Sequence, residues 1–216
     1  MMQIRGAIFD MDGTLTDSMQ VWSTIGSDFI KSLGKTPAED IDRRFTTMSS
    51  YEAVEFMKRE YDIPGTQEEI AEQINRIVEK SYLEKVPLKA GALEFLRYLD
   101  EKNIPMCVAT ATDEYLAEAS LTRLGIRKYF KGILTSRSVG VGKTEPKIFL
   151  ESARLLGTEP SETAVFEDSV VAIRTANAAG FITTAVMDES FAYARDEIKE
   201  ISTMWKEDLS GYINII

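Results

Sequence analysis

Ile8–Ser18 reads Ile-Phe-Asp-Met-Asp-Gly-Thr-Leu-Thr-Asp-Ser and carries the most informative pattern in the chain. An apolar run over Ile4–Phe9 ends in Asp10, and Asp12 follows one residue later. A Gly-Thr pair then gives a turn signal. The pattern predicts a strand that delivers two carboxylates into a loop, and these converge only if the chain bends after Asp10.

Two acids at the end of a strand suit phosphoryl transfer. One carboxylate attacks phosphorus and carries the group as an aspartyl-phosphate. Its neighbour hands a proton to the leaving oxygen and later takes one from water. A strand followed by a capped helix would explain Asp17 or Ser18 as the N-cap. It would not explain Asp10 and Asp12, because burying unpaired carboxylates costs free energy.

The segment after this motif has a helical pattern and no convincing strand as far as about Lys89. Apolar residues recur three and four positions apart in three stretches, with breaks at Gly34–Pro37 and Ile63–Gly65. This spacing predicts a small helical bundle inserted after the first strand. The predicted helices are Val21–Leu33, Tyr51–Tyr61 and Glu68–Leu83.

From Gly91 onward, short apolar runs alternate with helical patterns that close on glycine. This alternation predicts an α/β fold with a doubly wound, mainly parallel sheet, whose ligands bind beyond the carboxyl ends of the strands. The predicted strands are Pro105–Thr110, Gly132–Thr135, Thr163–Glu167 and Ile182–Val186. The predicted helices are Ala92–Lys102, Glu114–Leu124, Lys147–Leu156 and Ser169–Ala179.

The stretch Phe191–Ile216 is the least informative part of the sequence. Apolar residues there form no sustained period, and we expect a helix only at Ala194–Glu200. Trp205 and Tyr212 are large enough to cover exposed strand surface. We therefore expect both rings to pack against the edge of the sheet.

The second predicted strand ends in Thr110, Ala111 and Thr112. A hydroxyl and backbone N–H groups at such a position can hold phosphate oxygens. Thr112 suits the N-cap of the next helix. Thr110 is then left as the candidate phosphate-binding hydroxyl.

The fourth predicted strand ends in Glu167 and Asp168. The helix dipole favours an acid at a helix start, which accounts for Asp168 alone. Meeting Asp10 and Asp12, the two acids would form a cluster of four carboxylates whose charge requires a counter-ion. Oxygen ligands, with phosphate as a further one, favour Mg²⁺ over zinc or copper. The predicted metal ligands are Asp10, Asp12, Glu167 and Asp168.

Gly140–Thr144 contains a Gly-Lys-Thr string that invites comparison with a nucleotide-binding P-loop. That motif needs a glycine where Arg137 stands, and its helix must start on the lysine. Pro146 instead disfavours helix at Glu145 and itself suits a first helical position. We therefore reject the P-loop. Lys143 remains as one lysine in a loop before a helix, with Lys147 as the near alternative. A solvated surface charge is the ordinary state of any lysine.

Composition narrows the possible functions. A net charge of −10 over 216 residues argues against nucleic acid or an anionic membrane as a broad-surface partner. There is no histidine, which excludes serine-histidine and cysteine-histidine catalysis and histidine-ligated zinc. Cys107 is the only cysteine, so an internal disulfide is excluded. No signal-type or membrane-length apolar run stands out, and we expect a cytoplasmic protein.

Taken together, the strand-end strings resemble the four motifs of the haloacid dehalogenase superfamily. Asp-Met-Asp-Gly-Thr-Leu from Asp10 resembles the first motif, and Thr110 the second. The string Gly-Lys-Thr-Glu-Pro-Lys-Ile-Phe around Lys143 resembles the third, with a threonine for its first proline. The string that starts at Glu167 resembles the fourth, with Ala172 in place of a glycine.

The resemblance implies a role for each of these residues. Asp10 is the nucleophile and Asp12 the acid/base. Lys143 neutralises Asp10 and the phosphoryl oxygens. Asp168 ligates Mg²⁺ directly, whereas Glu167 either ligates it or acts through water. The phosphate-binding groups are Thr110, Ala111 and Lys143.

The inserted segment resembles the helical cap of the same superfamily. The expected domains are an α/β core over 1–16 and 89–216 and a cap over 17–88. Such a cap hinges near Thr16-Asp17 and Pro87–Ala90 and closes over the site to exclude water. Thr47 and Ser49 loosely match the position of the cap's specificity loop and are predicted substrate contacts. The residues alone favour the other role, an ordinary solvated helix end.

These features predict a Mg²⁺-dependent phosphatase that acts on a small phosphorylated metabolite. A β-phosphoglucomutase-like enzyme shares every core motif and is the alternative. That branch usually carries a histidine about where Trp22 stands, which favours hydrolysis here. A non-catalytic binding module would have lost an essential carboxylate, and all are present.

Overall fold

The computed structural model describes residues 3–45 and 50–216, which form two compact units. The core unit contains the chain up to Asp17 together with Val86–Ile216, and the inserted unit is Ser18–Lys85. Within the core unit, the connecting segments lie side by side: Thr16 bridges to Leu88, and the Asp17 N–H donates to the Pro87 carbonyl at 3.0 Å.

The core unit is built on a six-stranded sheet in the order β3-β2-β1-β4-β5-β6, with every neighbouring pair parallel. Helices cover both faces of such a sheet, which is why its central strands are mostly apolar and fully buried. The prediction of a doubly wound α/β fold is confirmed. The strands are β1 Gly6–Phe9, β2 Met106–Thr110, β3 Phe130–Thr135, β4 Thr163–Glu167, β5 Ile182–Val186 and β6 Met204–Lys206.

The inserted unit is helical in its described residues, and no strand was expected there. The helix predicted over Val21–Leu33 is interrupted at Ser23 and Thr24. The Ser23 hydroxyl donates to the Gln20 carbonyl at 2.8 Å, a local bond that competes with helix continuation. The helices are α1 Met19–Trp22, α2 Ile25–Ser32, α3 Ile41–Phe45, α4 Ser50–Glu60 and α5 Gln67–Glu84.

Apolar side chains from these helices form the core of the inserted unit around Phe29, Ile41 and Ile70. α5 begins with a capping box, in which the Thr66 hydroxyl accepts from the Glu69 N–H and the Glu69 carboxylate accepts from the Thr66 N–H. Among the described residues, no helix has the length and apolar character needed to cross a membrane.

Six helices of the core unit pack around the sheet. α9 begins and ends where the sequence predicts, because Pro146 precedes it and Gly157 terminates it with φ +77°. α3 and α8 were not expected from the sequence, since each is too short to show a period. The core helices are α6 Ala92–Glu101, α7 Glu114–Arg123, α8 Ser136–Val139, α9 Lys147–Leu156, α10 Val170–Ala178 and α11 Arg195–Ile201.

The C-terminal stretch completes the sheet. Tyr212 is buried as expected, and its hydroxyl donates to the Ala185 carbonyl at 2.5 Å. The expectation for Trp205 is wrong. Trp205 belongs to β6, the edge strand itself, and its ring is partly exposed beneath the Lys199 ammonium.

Candidate active site

Asp10 follows the last residue of β1 and is buried, with 7% of its surface exposed. Its N–H donates to the Phe166 carbonyl at 2.9 Å, so the sheet ladder extends to the acid itself. The chain then turns through Gly13, whose φ of +81° favours glycine. The Leu15 N–H closes this turn on the Met11 carbonyl at 2.9 Å.

Lys143 lies in the loop before α9, and its side chain is only 13% exposed. The ammonium donates to the Asp10 carboxylate and, at 2.5 Å, to Oε1 of Glu167. Lys143 is therefore not a solvated surface lysine. α9 starts at Lys147 rather than at Lys143, which agrees with the rejection of a P-loop.

Glu167 and Asp168 stand at the end of β4, next to β1. The second oxygen of Glu167 accepts from the N–H groups of Asp168 and Ser169 at 3.0 and 2.9 Å, so both of its oxygens are engaged. Oδ1 of Asp168 accepts from the Thr14 hydroxyl at 3.4 Å. Oδ2 of Asp168 is buried and has no hydrogen-bond partner among the described residues.

Asp10, Glu167 and Asp168 each offer a carboxylate oxygen, and these oxygens lie within 4.8 Å of one another. The cluster has three acids and the ammonium of Lys143. Hard oxygen donors, excess negative charge and one buried oxygen without a partner fit a divalent cation such as Mg²⁺. The sequence predicted four acids in this cluster; Asp12 lies outside this group of three.

Burial raises the pKa of Asp10 to about 8, although the ion pair with Lys143 opposes the shift. Burial and the charge of Glu167 likewise raise the pKa of Asp168 well above its usual range. Burial alone would lower the pKa of Lys143, but the charges of Asp10 and Glu167 outweigh it and raise that pKa. Without a dication, Asp10 and Asp168 therefore keep their protons to a higher pH than ordinary carboxyl groups do, while Lys143 stays charged.

The metal-free protein is expected to lose stability as the pH rises from 5 to 8. The unfolded Asp10 carboxyl has a pKa of about 3.9, and the folded one about 8. A raised folded-state pKa contributes stability that is full below the unfolded value and is lost as pH rises through the folded value. Because the chain has no histidine, few other side chains titrate in this window.

Thermal unfolding in EDTA at pH 5, 6, 7 and 8 measures this effect. The midpoint should fall with pH, and excess Mg²⁺ should restore it most at pH 8. Asp10→Asn should make the profile less steep, because one of the two carboxyl groups with a raised pKa is removed. A midpoint that rises from pH 5 to 8 in EDTA would contradict the assignment.

Asp12 interacts with the loop that follows β2. The Thr112 hydroxyl donates to Oδ2 of Asp12 at 2.6 Å, across 100 positions of sequence. The prediction of Thr112 as the helix N-cap is wrong, because Asp113 occupies the N-cap of α7. The Thr112 side chain is turned instead toward the predicted acid/base. Sequence alone could not separate two adjacent capping residues.

Thr110 ends β2 and is buried, and its hydroxyl oxygen accepts from the Thr112 N–H at 3.0 Å. Ala111 is exposed between them. Both predicted substrate contacts in the cap, Thr47 and Ser49, lie outside the described residues.

A second pair of charged side chains at this edge of the sheet was missed by the sequence analysis. Asp188 follows β5 by two residues, and Lys89 pairs with it at 2.6 Å. Asp188 could have been found from the sequence, because it is an acid just after a predicted strand, as Asp168 is. No sequence pattern marks Lys89, since it lies in a connecting segment.

Comparison with known proteins agrees with these observations. A model of the haloacid dehalogenase-like hydrolase family matches residues 4–180. The chain is 28% identical to the "Phosphorylated carbohydrates phosphatase" of Thermotoga maritima, over 82% of each chain. It is 27% identical to hexitol phosphatase B of Escherichia coli strain K12, over 97% of this chain and 98% of that one.

A solved structure of β-phosphoglucomutase from Clostridium difficile shares the fold, with a TM-score of 0.78 at 21% identity over 96% of this chain and 92% of that one. The family match spans most of the sequence and includes the ends of β1, β2 and β4. The chain therefore belongs to the haloacid dehalogenase-like hydrolase family.

Proposed function

We propose that this protein is a Mg²⁺-dependent phosphatase that hydrolyses a small phosphorylated metabolite through an aspartyl-phosphate. The observation that carries the proposal is the Lys143 ammonium, which bonds Asp10 and Glu167 beside the buried Asp168. Positive charge held around one carboxylate suits attack on a phosphoryl group. The names of the two phosphatase relatives further support a phosphorylated carbohydrate or polyol as the substrate class.

Mg²⁺ at this edge would neutralise charge on the transferring phosphoryl group. We expect Asp168 to hold it directly, because Oδ2 has no hydrogen-bond partner within the described part of the chain. Asp10 offers a second oxygen. Glu167 has both oxygens occupied by Lys143 and by backbone N–H groups. Its proposed role is therefore to act through water and to hold Lys143.

In the proposed reaction, an Asp10 oxygen attacks phosphorus while the bond from phosphorus to the substrate oxygen breaks. Asp12 protonates that leaving oxygen, so an alcohol departs. The deprotonated Asp12 then takes a proton from water, which attacks the aspartyl-phosphate and releases inorganic phosphate. Lys143 and Thr110 stabilise the phosphoryl oxygens in both steps.

Replacement of Thr112 by valine tests the acid/base part of this mechanism. Removing the hydrogen bond to Asp12 should lower kcat by about tenfold, a fraction of the 10²–10⁴-fold typical of acid–base catalysis. KM and the Mg²⁺ requirement should change by less than about twofold. Steady-state phosphate release gives both parameters. Thr122→Val on the exposed face of α7 is the matched control and should behave as wild type. Unchanged kcat in Thr112→Val would contradict the role of Thr112.

A screen for released phosphate tests the function itself. The substrates are sugar phosphates, polyol phosphates, nucleotides and phosphoglycolate, each with Mg²⁺ and with EDTA. We expect release that requires Mg²⁺ and is fastest for sugar or polyol phosphates. Absence of release from every ester in Mg²⁺ would contradict a phosphatase.

A second assay distinguishes a phosphomutase, which would convert a sugar phosphate to its isomer without net release of phosphate when a sugar bisphosphate is added. Trp22 stands where that branch usually has a histidine, and its indole N–H donates to the Tyr82 hydroxyl at 2.6 Å. An indole cannot transfer protons as an imidazole does, which supports hydrolysis. We further propose that the inserted unit is the cap and selects the substrate.

A further inference from the structure

Lys89 and Asp188 form a buried ion pair that the proposed mechanism does not use. Their charged atoms lie 2.6 Å apart, and the side chains are 12% and 8% exposed. Lys89 also donates to the Met187 carbonyl at 3.1 Å. Asp188 accepts from the N–H and the hydroxyl of Ser190 at 2.9 and 2.6 Å. Every charge in this group therefore has a defined partner.

Lys89 makes contacts on both sides of the strand end that carries the proposed metal ligand Asp168. β4 lies between β1 and β5 in the sheet. The side chain of Lys89 binds the end of β5, whereas its N–H donates at 2.9 Å to the carbonyl of Leu15, in the loop after β1. One residue thus connects the two loops that flank the end of β4, where Asp168 stands.

Asp188 is close enough to Asp168 for their charges to interact. Glu167 pairs with Ala185 in the sheet, so Asp168 and Asp188 extend from neighbouring strands at the same edge. Neighbouring strands lie about 5 Å apart, and Asp188 lies two positions beyond the end of β5. The charge of Asp188 is accordingly one of those that raise the pKa of Asp168. Lys89 offsets part of that charge.

Stability alone is a poor explanation for this pair. Desolvating two charges cancels most of their attraction, and apolar side chains of similar size often serve as well. A charge pair beside a cation site has another consequence, because each member acts on the cation with opposite sign.

We propose that Lys89 and Asp188 are a positioning pair that sets the negative charge acting on the Mg²⁺ site. Asp188 strengthens cation binding, and Lys89 limits it so that an anionic phosphate ester can still approach. This inference rests on the proposed function, since it needs the metal site at Asp168.

Titration of metal-free protein with Mg²⁺ by calorimetry at pH 8 tests the pair without any turnover. Asp188→Asn leaves Lys89 positive, and the dissociation constant should rise about three- to tenfold. Lys89→Met removes the positive charge, and Asp188 keeps its two hydrogen bonds from Ser190. Its dissociation constant should fall by about the same factor. Opposite shifts are the signature of a charge effect, because disrupted packing would weaken binding in both variants.

Three further variants separate the effect of charge from effects on packing and folding. Lys89→Arg keeps the charge and should bind Mg²⁺ within about twofold of wild type. The double variant Lys89→Met with Asp188→Leu removes both charges, should fold even if a single variant does not, and should bind within about threefold of wild type. Arg123→Met removes the side chain that donates to the Val86 carbonyl in the same connecting segment. It should also bind Mg²⁺ within about twofold of wild type.

Shifts in the same direction for the two single variants, or no shift in either, would overturn the positioning role. The same follows if the double variant loses Mg²⁺ affinity more than about tenfold. Wild type and Asp168→Asn separate this failure from failure of the proposed function. Wild type that binds no Mg²⁺, or Asp168→Asn that binds it normally, would refute the metal site itself and the pair's role with it.

Discussion

Asp10→Asn is expected to abolish phosphate release, with a loss of more than about 1,000-fold in kcat. An amide oxygen is a poor nucleophile, and no aspartyl-phosphate can form on it. The neighbouring acids have other proposed roles, because Glu167 bonds Lys143 and two backbone N–H groups and Asp168 is the expected Mg²⁺ ligand. Phosphate release on the best substrate of the screen measures the loss. Mass spectrometry of acid-quenched wild type should detect the phosphorylated protein, and the variant should lack it.

The fold should survive this replacement. Asparagine has nearly the same shape, and it removes a carboxyl group whose ionised form burial disfavours. We therefore expect the unfolding midpoint in EDTA at pH 8 to be no lower than that of wild type. Asp100→Asn makes the same chemical change on the exposed face of α6 and should retain wild-type activity. Wild-type rates in Asp10→Asn would refute the nucleophile assignment.

Much of the fold could be predicted because its signals are local. β4, β5 and α9 have the bounds that the sequence predicts, since each is a short β-type or periodic run with a polar residue or a glycine at or near its end. β6 has three residues and pairs only with β5, so no period marks it. The sequence therefore predicts that Trp205 packs against the sheet and does not reveal that it belongs to a strand.

The site likewise has features that the sequence predicts and features that it does not. Asp10 and Asp168 could be brought together from sequence, because the carboxyl ends of parallel strands share one edge of the sheet. The sequence could not show that the Thr112 hydroxyl is directed toward Asp12. Nor could it show the pairing of Lys89 with Asp188 across 99 positions, since such pairs depend on how loops pack after the strands are in place.

Lys143→Met tests the positive charge in the site. We expect it to cause a large loss of both stability and phosphate release. The ammonium bonds Asp10 and Glu167, so its loss leaves buried carboxylates without a counter-charge. Breaking a buried pair typically costs about 3–5 kcal/mol in the free energy of unfolding. The cost in EDTA should be smaller at pH 5 than at pH 8, because a protonated Asp10 needs no counter-charge. Phosphate release should fall by about 1,000-fold even with saturating Mg²⁺, since the transferring oxygens lose a cation.

Lys147→Met is the matched control, and it separates two lysines only four positions apart. Lys147 begins α9, and its ammonium donates at 2.5 Å to the Val139 carbonyl, an exposed interaction outside the carboxylate cluster. Its loss should change kcat by less than about twofold and the free energy of unfolding by less than about 1 kcal/mol. If Lys147→Met removes activity while Lys143→Met retains it, the cation that faces the phosphoryl group has been misassigned. Retained activity in both variants would mean that Asp10 reacts without help from either lysine.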